Sequence, residues 1–222
     1  DESTPVMGVN SHPKSDDPTG SVGFYMDSTL DTFSEDLERV LSGKAIVNNL
    51  PRLRAIIDST SGNRYTTDPA MNELLIANTH QYAPSKYHLR RGDMNTDQQS
   101  SGLIFSTWLG QGAWFSHSLD PTSLAEIRKV VESGEEDTHY FVLARDLDHQ
   151  MRVDKKWSWL DWTETTTQIL SDMHRGYVVP DGWDEVHFNR GASISVDLNA
   201  PKLRLFTFRQ SMKERLIQSM TL

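Results

Sequence analysis

Cysteine is absent from this 222-residue chain. That removes disulfides, thiolate metal sites and cysteine nucleophiles in one step. No apolar run approaches the roughly 18 residues that a membrane-spanning helix needs, so no membrane span is expected. Basic charge is scarce: 22 Lys and Arg stand against 31 Asp and Glu, for a formal net charge of −9. No basic run exceeds the pairs Arg90-Arg91 and Lys155-Lys156, which argues against nucleic acid as the main partner. No Gly-x-Ser-x-Gly elbow supports a serine hydrolase, and no internal repeat suggests a solenoid. Asp146-Leu147-Asp148-His149 has metal-compatible side chains but no second cluster at a matching spacing, so it reads as a surface turn and no metal is expected.

What is present is an ordinary globular composition, 36% apolar and 24% charged, enough for a real core in one domain or two small ones. Residues 1–27 are rich in Ser, Pro, Gly and Asp and read as a flexible N-terminal arm, with Phe24, Tyr25 and Met26 as its docking residues. The chain opens at Asp1, not Met, which is expected of a trimmed chain, from which any N-terminal targeting signal would be lost to view. Residues 28–222 read as one domain. Ser28 or Asp31 caps a helix carrying Leu30, Phe33, Leu37, Val40 and Leu41, and Gly43 ends it. Ile46, Val47, Leu50, Leu53, Ile56 and Ile57 extend the helical pattern, with a break at Pro51. Thr67-Asp68-Pro69 starts a third helix through Met71, Leu74, Leu75 and Ala77.

The second half reads as strands. Tyr87–Arg91, Leu103–Phe105, Ala113–Ser116, Tyr140–Ala144 and Leu203–Phe208 are short and apolar or alternating, and a helix follows Asp120-Pro121. Val186 and Phe188, then Ile194 and Val196, alternate on either side of Arg190-Gly191 and read as two strands joined in a tight hairpin. Trp157, Trp159 and Trp162 read as core or rim packing, and the acidic run Glu132–Asp137 as a solvated loop. Helices first and strands later is the pattern of an α+β domain.

Three polar knots fall on the expected strands: Arg91 with Gly92, Ser116-His117-Ser118, and Asp184-Glu185. A guanidinium forks onto phosphate oxygens, a strand hydroxyl can hold a carboxylate, and a fixed carboxylate stabilises a developing cation. On these residues the sequence resembles the arginine-type (R-S-E) mono-ADP-ribosyltransferases, a group that includes plant-pathogen type III effectors. Leu89-Arg90-Arg91-Gly92 stands where that family has its aromatic-x-Arg-Gly strand. Phe115-Ser116-His117-Ser118 stands for Ser-Thr-Ser, and Trp183-Asp184-Glu185-Val186 for Glu-x-Glu.

The resemblance implies an ADP-ribosyltransferase-like α+β fold, with an N-terminal helical lobe followed by packed, mostly antiparallel sheets around a cleft. It implies NAD as substrate, held by Arg91, Gly92 and Ser118, with Ser116 orienting Glu185 and Glu185 stabilising the ribosyl cation. It also implies a virulence protein secreted into the host cytosol that transfers ADP-ribose to a host protein, through an arginine side chain of the target. Trp183 replaces the acceptor-binding Glu of the family. Asp184 faces the other side of the strand, and Asp181 could reach from the turn. The alternative is therefore a degenerate form of the same fold that leaves NAD alone and binds an arginine-containing peptide at Trp183, Asp184 and Asp181 in an acidic cleft.

Overall fold

A computed structural model describes residues 3–15, 17–130, 134–147 and 160–220. By its internal contacts the chain forms two compact units, residues 1–50 with 201–222, and residues 51–200. In chain order the first unit opens with β1 (Val9–Asn10), β2 (Ser28–Thr29), α1 (Phe33–Leu41) and β3 (Ile46–Leu50). The second unit carries β4 (Arg54–Asp58), β5 (Arg64–Thr66), β6 (Glu73–Asn78), β7 (Ser85–Arg91), β8 (Met94–Ser100) and β9 (Leu103–Ser106). A 3-10 turn at Leu109–Gly112, α2 (Trp114–His117), α3 (Pro121–Val130) and β10 (Tyr140–Ala144) come next. β11 (Leu160–Thr163), β12 (Thr167–Ser171), β13 (Arg175–Pro180), β14 (Val186–Asn189) and β15 (Ser193–Asp197) complete it. The first unit closes with β16 (Leu203–Thr207) and α4 (Met212–Met220).

The larger unit is built on two six-stranded sheets, in the orders β5-β4-β15-β12-β7-β8 and β11-β10-β9-β6-β13-β14. Neighbours within both are antiparallel. In the first sheet Ala55, Ile57, Tyr87, Leu89, Ile169, Ile194 and Val196 are buried and alternate with more exposed residues. That period of two marks a sheet with one face in the core. The second sheet is apolar on both faces. Leu74, Ile76, Phe105, Tyr140 and Val142 join the side chains of the first sheet in one cluster. Leu75, Ala77, Ile104, Phe141 and Leu143 pack with Phe115 of α2 and Ile127 of α3 on the other side. This double burial is why Tyr140-Phe141-Val142-Leu143-Ala144 is apolar without a break. Tyr140 pins the sheets together: its hydroxyl lies 2.7 Å from the Thr165 carbonyl and 3.0 Å from the Val196 carbonyl, and accepts the Thr167 N–H at 3.1 Å. Burial pushes that phenol up to about 12.

In the smaller unit β3 pairs with β16 and β1 with β2. Its polar centre is Asp36, fully buried on α1, whose two carboxylate oxygens accept from Arg209 Nη2 at 2.9 and 3.0 Å. Asp27 Oδ2 accepts the N–H groups of Phe208 and Arg209, and Arg209 Nη1 returns a bond to the Asp27 carbonyl.

The expected helical lobe is not there. Between residues 28 and 80 α1 is the one helix among the described residues. Ile46–Leu50 and Arg54–Asp58 are strands parted by Pro51, and Thr67–Ala77 leads into β6. Apolar residues at Ile46, Val47, Leu50, Leu53, Ile56 and Ile57 satisfy a helical spacing. They equally satisfy two β-branched strands with a proline between, and tertiary pairing decides. Ala113–Ser116 is the opposite case, forming α2 where a strand was expected, with Phe115 stacked on Phe141 at 5.3 Å between centroids. The hairpin at Gly191 is also corrected. β14 pairs with β13 in the second sheet, whereas β15 pairs with β12 and β4 in the first. Gly191, at φ +83°, carries the chain from one sheet to the other. Trp157, Trp159, Asp148 and His149 lie outside the described residues, as do Glu132 and Ser133 of the acidic run.

Candidate functional site

Three neighbouring strands of the second sheet bring their ends together, because β6 lies between β9 and β13 and is antiparallel to both. The start of β6 therefore meets the ends of the other two, and the backbone of Met71-Asn72-Glu73 is tied on both sides. The Asp181 carboxylate, just past β13, accepts the N–H groups of Met71 at 2.7 Å, Asn72 at 2.8 Å and Glu73 at 3.1 Å. Three successive N–H groups on one anion form a nest, here filled by the protein's own carboxylate. The carbonyls are held in turn: Met71 by the Thr107 hydroxyl at 2.6 Å, Asn72 by the Thr107 N–H at 3.0 Å and the Ser106 hydroxyl at 3.2 Å, and Glu73 by the Asp181 N–H at 2.9 Å. Asp181 reaches this position with φ at +46°, a left-handed conformation that costs a non-glycine residue about 1 kcal/mol or more.

Glu73 is half-buried on the helix-side face of the sheet. Burial, and secondarily the negative charge of Asp181, push its carboxyl up to about 7. Its Oε2 has no hydrogen-bond partner among the described residues. The turn after β9 adds more such polar atoms. Gln111 is 3% exposed and Trp108 is 4% exposed, yet both amide atoms of Gln111 and the indole Nε1 of Trp108 have no partner among the described residues. Between them Gly110 lies so close to the Asn72 carbonyl and the Ser106 hydroxyl that a Cβ there would sit 2.4 Å from each. A carboxyl poised near neutrality, a buried amide able to donate and accept, and a close backbone crossing suit the recognition of hydroxyl and amide groups on a polar ligand.

The residues picked out by sequence fall elsewhere or play other parts. Arg91 is 6% exposed at the end of β7, in the first sheet, and its guanidinium is paired with Asp161 of β11. Gly92 makes the exposed β7–β8 turn at φ +55°. Ser116 lies on α2 and donates to the Ala113 carbonyl at 2.8 Å, and Ser118 caps that helix. Glu185 precedes β14 and bonds the His187 ring at 2.8 Å in solvent. No hydrogen bond among the described residues links any two of Arg91, Ser116 and Glu185. Trp183 is 76% exposed, and Asp184 is exposed at φ +46°. Asp181 alone of the set belongs to the Glu73 node, and there both its oxygens are already engaged. Glu73, Trp108 and Gln111 were missed. The available signal was the run Ser106-Thr107-Trp108-Leu109-Gly110-Gln111-Gly112, polar and glycine-bearing directly after an apolar strand.

A separate cavity of about 540 Å³ opens on the first sheet, lined by Lys86, His88, Asp97, Asp172 and Arg190 among others. Much of its charge is spent internally: His88 binds Asp97 at 2.9 Å and Arg190 binds Asp172 at 3.0 Å. Among the described residues no group of three or more His, Asp or Glu is arranged to hold a metal ion, and no helix is long and apolar enough to cross a membrane.

No family model matches the chain. It is 21% identical over 212 residues to the NAD kinase of Thermoplasma volcanium, covering 96% of this chain and 69% of that protein. Its structure superposes on yeast NADH kinase complexed with NADH with a TM-score of 0.69, at 12% identity over 90% of this chain and 54% of the other. It matches the NAD kinase of Archaeoglobus fulgidus in complex with ATP with a TM-score of 0.68, at 17% identity over 98% of this chain and 74% of that one. The chain thus spans about half the length of the yeast protein and about three quarters of the archaeal one. These likenesses overturn the ADP-ribosyltransferase resemblance, and with it the α+β fold class read from helices first and strands later. With the resemblance fall ADP-ribose transfer, the degenerate peptide-binding alternative, and the secreted virulence effector delivered to a host cytosol, since nothing else supported them. Two six-stranded antiparallel sheets, with helices on the outer face of one, give this chain the fold of the NAD and NADH kinases.

Proposed function

We propose that this chain carries the dinucleotide-binding part of an enzyme that phosphorylates NAD or NADH at the expense of ATP. The observation that carries the reading is the extent of the fold likeness, 90% and 98% of this chain, to two kinases whose structures hold NADH and ATP. The Glu73 node supplies chemistry that fits a dinucleotide. Glu73 Oε2 and the Gln111 amide are polar atoms without partners among the described residues, and sugar hydroxyls and a carboxamide are the groups such atoms recognise. In this reading Glu73 and Gln111 orient the dinucleotide, and Gly110 keeps the turn tight enough to do so. ATP would supply the phosphoryl group as MgATP, and catalysis of such a transfer is mainly positioning and charge stabilisation.

The test pairs binding with turnover. Calorimetric titration with NAD and with NADH is expected to give saturable binding that Glu73→Gln weakens. Incubation with MgATP is expected to convert the dinucleotide to its phosphorylated form, read by a dehydrogenase specific for that form. A chain that is folded by circular dichroism, binds neither dinucleotide and forms no phosphorylated product refutes the proposal.

A further inference from the structure

The Asp181 turn is more elaborate than strand connection requires. A residue in a left-handed conformation spends both carboxylate oxygens on the N–H groups of Met71, Asn72 and Glu73, and returns its own N–H to the Glu73 carbonyl. Met71 and Asn72 are also held on their carbonyl side by Ser106 and Thr107. The backbone of Glu73 therefore has one position, and its side chain starts from a fixed root. Asp184, three residues later and also at φ +46°, offers a contrast within the same turn: it is exposed, and its side chain bonds no backbone group among the described residues.

We propose that Asp181 is the positioning residue of this site, aiming Glu73 at the bound dinucleotide by gathering the N–H groups of residues 71–73 on its carboxylate. The inference rests on the dinucleotide reading given above. Asp181 does not touch the ligand; it acts through Glu73. It also places a negative charge behind the Glu73 carboxyl, which helps keep a proton there near neutral pH. Glu73 can then donate to one ligand oxygen and accept from a hydroxyl with its other oxygen, which a fully ionised carboxylate cannot do. A role confined to holding the turn together would leave the affinity of the folded variant for NADH where it is.

The experiment follows the Glu73 carboxyl by 13C NMR in protein labelled at glutamate side chains. The resonance is assigned by its loss in Glu73→Gln. In the wild type its titration midpoint is expected near 7. Asp181→Asn keeps an oxygen for the backbone but removes the charge, and should lower the midpoint by roughly half a pH unit or more while leaving it above the ordinary value, because burial persists. The same variant should raise the NADH dissociation constant roughly tenfold, about 1.4 kcal/mol. Asp184→Asn should change neither reading. If Asp181→Asn fails to fold, Asp181→Ser, which is also neutral and keeps one acceptor, takes its place with the same expectations. An unmoved Glu73 midpoint in the folded neutral variant, with NADH still bound as in the wild type, overturns the role of Asp181 alone. Equal effects from Asp184→Asn overturn it as well. If the wild type binds no NADH, the dinucleotide reading fails instead, and the midpoint still reports whether Asp181 governs Glu73.

Discussion

Glu73 should make this protein lose stability as the solution passes from acid to neutral. Its carboxyl sits near 7 in the folded chain against an ordinary value of 4.5, raised first by burial and then by Asp181. The folded state thus holds the Glu73 proton more tightly than the unfolded state does. Between those two values unfolding releases a proton, so rising pH favours the unfolded chain. The stabilisation is complete below pH 4.5 and is lost once the pH exceeds about 7. A difference of about 2.5 pH units, at 1.36 kcal/mol each, is about 3.4 kcal/mol. Glu73 keeps partial contact with solvent, which screens the charge and brings the expected loss to roughly 2 kcal/mol. Glu73→Gln carries no titrating proton and should not show it. Urea unfolding, followed by the fluorescence of the six tryptophans at half-unit steps from pH 4 to 8.5, measures both proteins. The difference between them cancels every other titrating group. Wild type should fall relative to the variant by roughly 2 kcal/mol across the window, with the change centred between pH 4.5 and 7. Profiles that stay parallel would refute both the raised value and its cause.

Two further outcomes test the packing of the larger unit. Tyr140→Phe removes the hydroxyl that joins the Thr165, Thr167 and Val196 backbones and should cost about 2 kcal/mol in urea unfolding, since buried backbone groups lose their partner; a loss below about 0.5 kcal/mol would show that water or relaxation replaces it. Gly110→Ala forces a methyl to within 2.4 Å of the Asn72 carbonyl and Ser106 Oγ, so it should destabilise the fold by about 2 kcal/mol and weaken NADH binding, and a variant that matches wild type in both would deny the close crossing.

How much of this was legible in the chain depends on which force set each element. Tyr140–Ala144 was plain, because a strand covered on both faces has no polar position to hide it. So was the start of α3, where Asp120 accepts the N–H groups of Thr122 and Ser123 as its place before Pro121-Thr122-Ser123 implies. Ile46–Ile57 was not plain, because period and composition there fit either regular structure and the partners β16, β15 and β5 settle it. α2 is a four-residue helix made by docking, with Phe115 buried against the sheet, and no local preference announces it.

The site was hidden for a deeper reason. Its members come from residues 71–73, 106–111 and 181, and the longest of the bonds that join them spans 110 positions of sequence. A motif reading rewards polar residues that are close in sequence, and so favoured Asp184-Glu185 beside a glycine turn. That turn proves to be a crossing between sheets, with Glu185 left to pair with His187 in solvent. Asp181, four residues earlier, reads in sequence as a spare carboxylate for an acidic cleft. Its value lies in the strand order, which sets β13 on one side of β6 and β9 on the other. With that order, one aspartate holds the amides of 71–73 while a serine and a threonine hold the carbonyls of 71 and 72. Reverse any one of the three strands and the same residues would sit at opposite ends of the sheet. The chemistry of Glu73 is therefore a property of topology, and sequence alone carried only its ingredients.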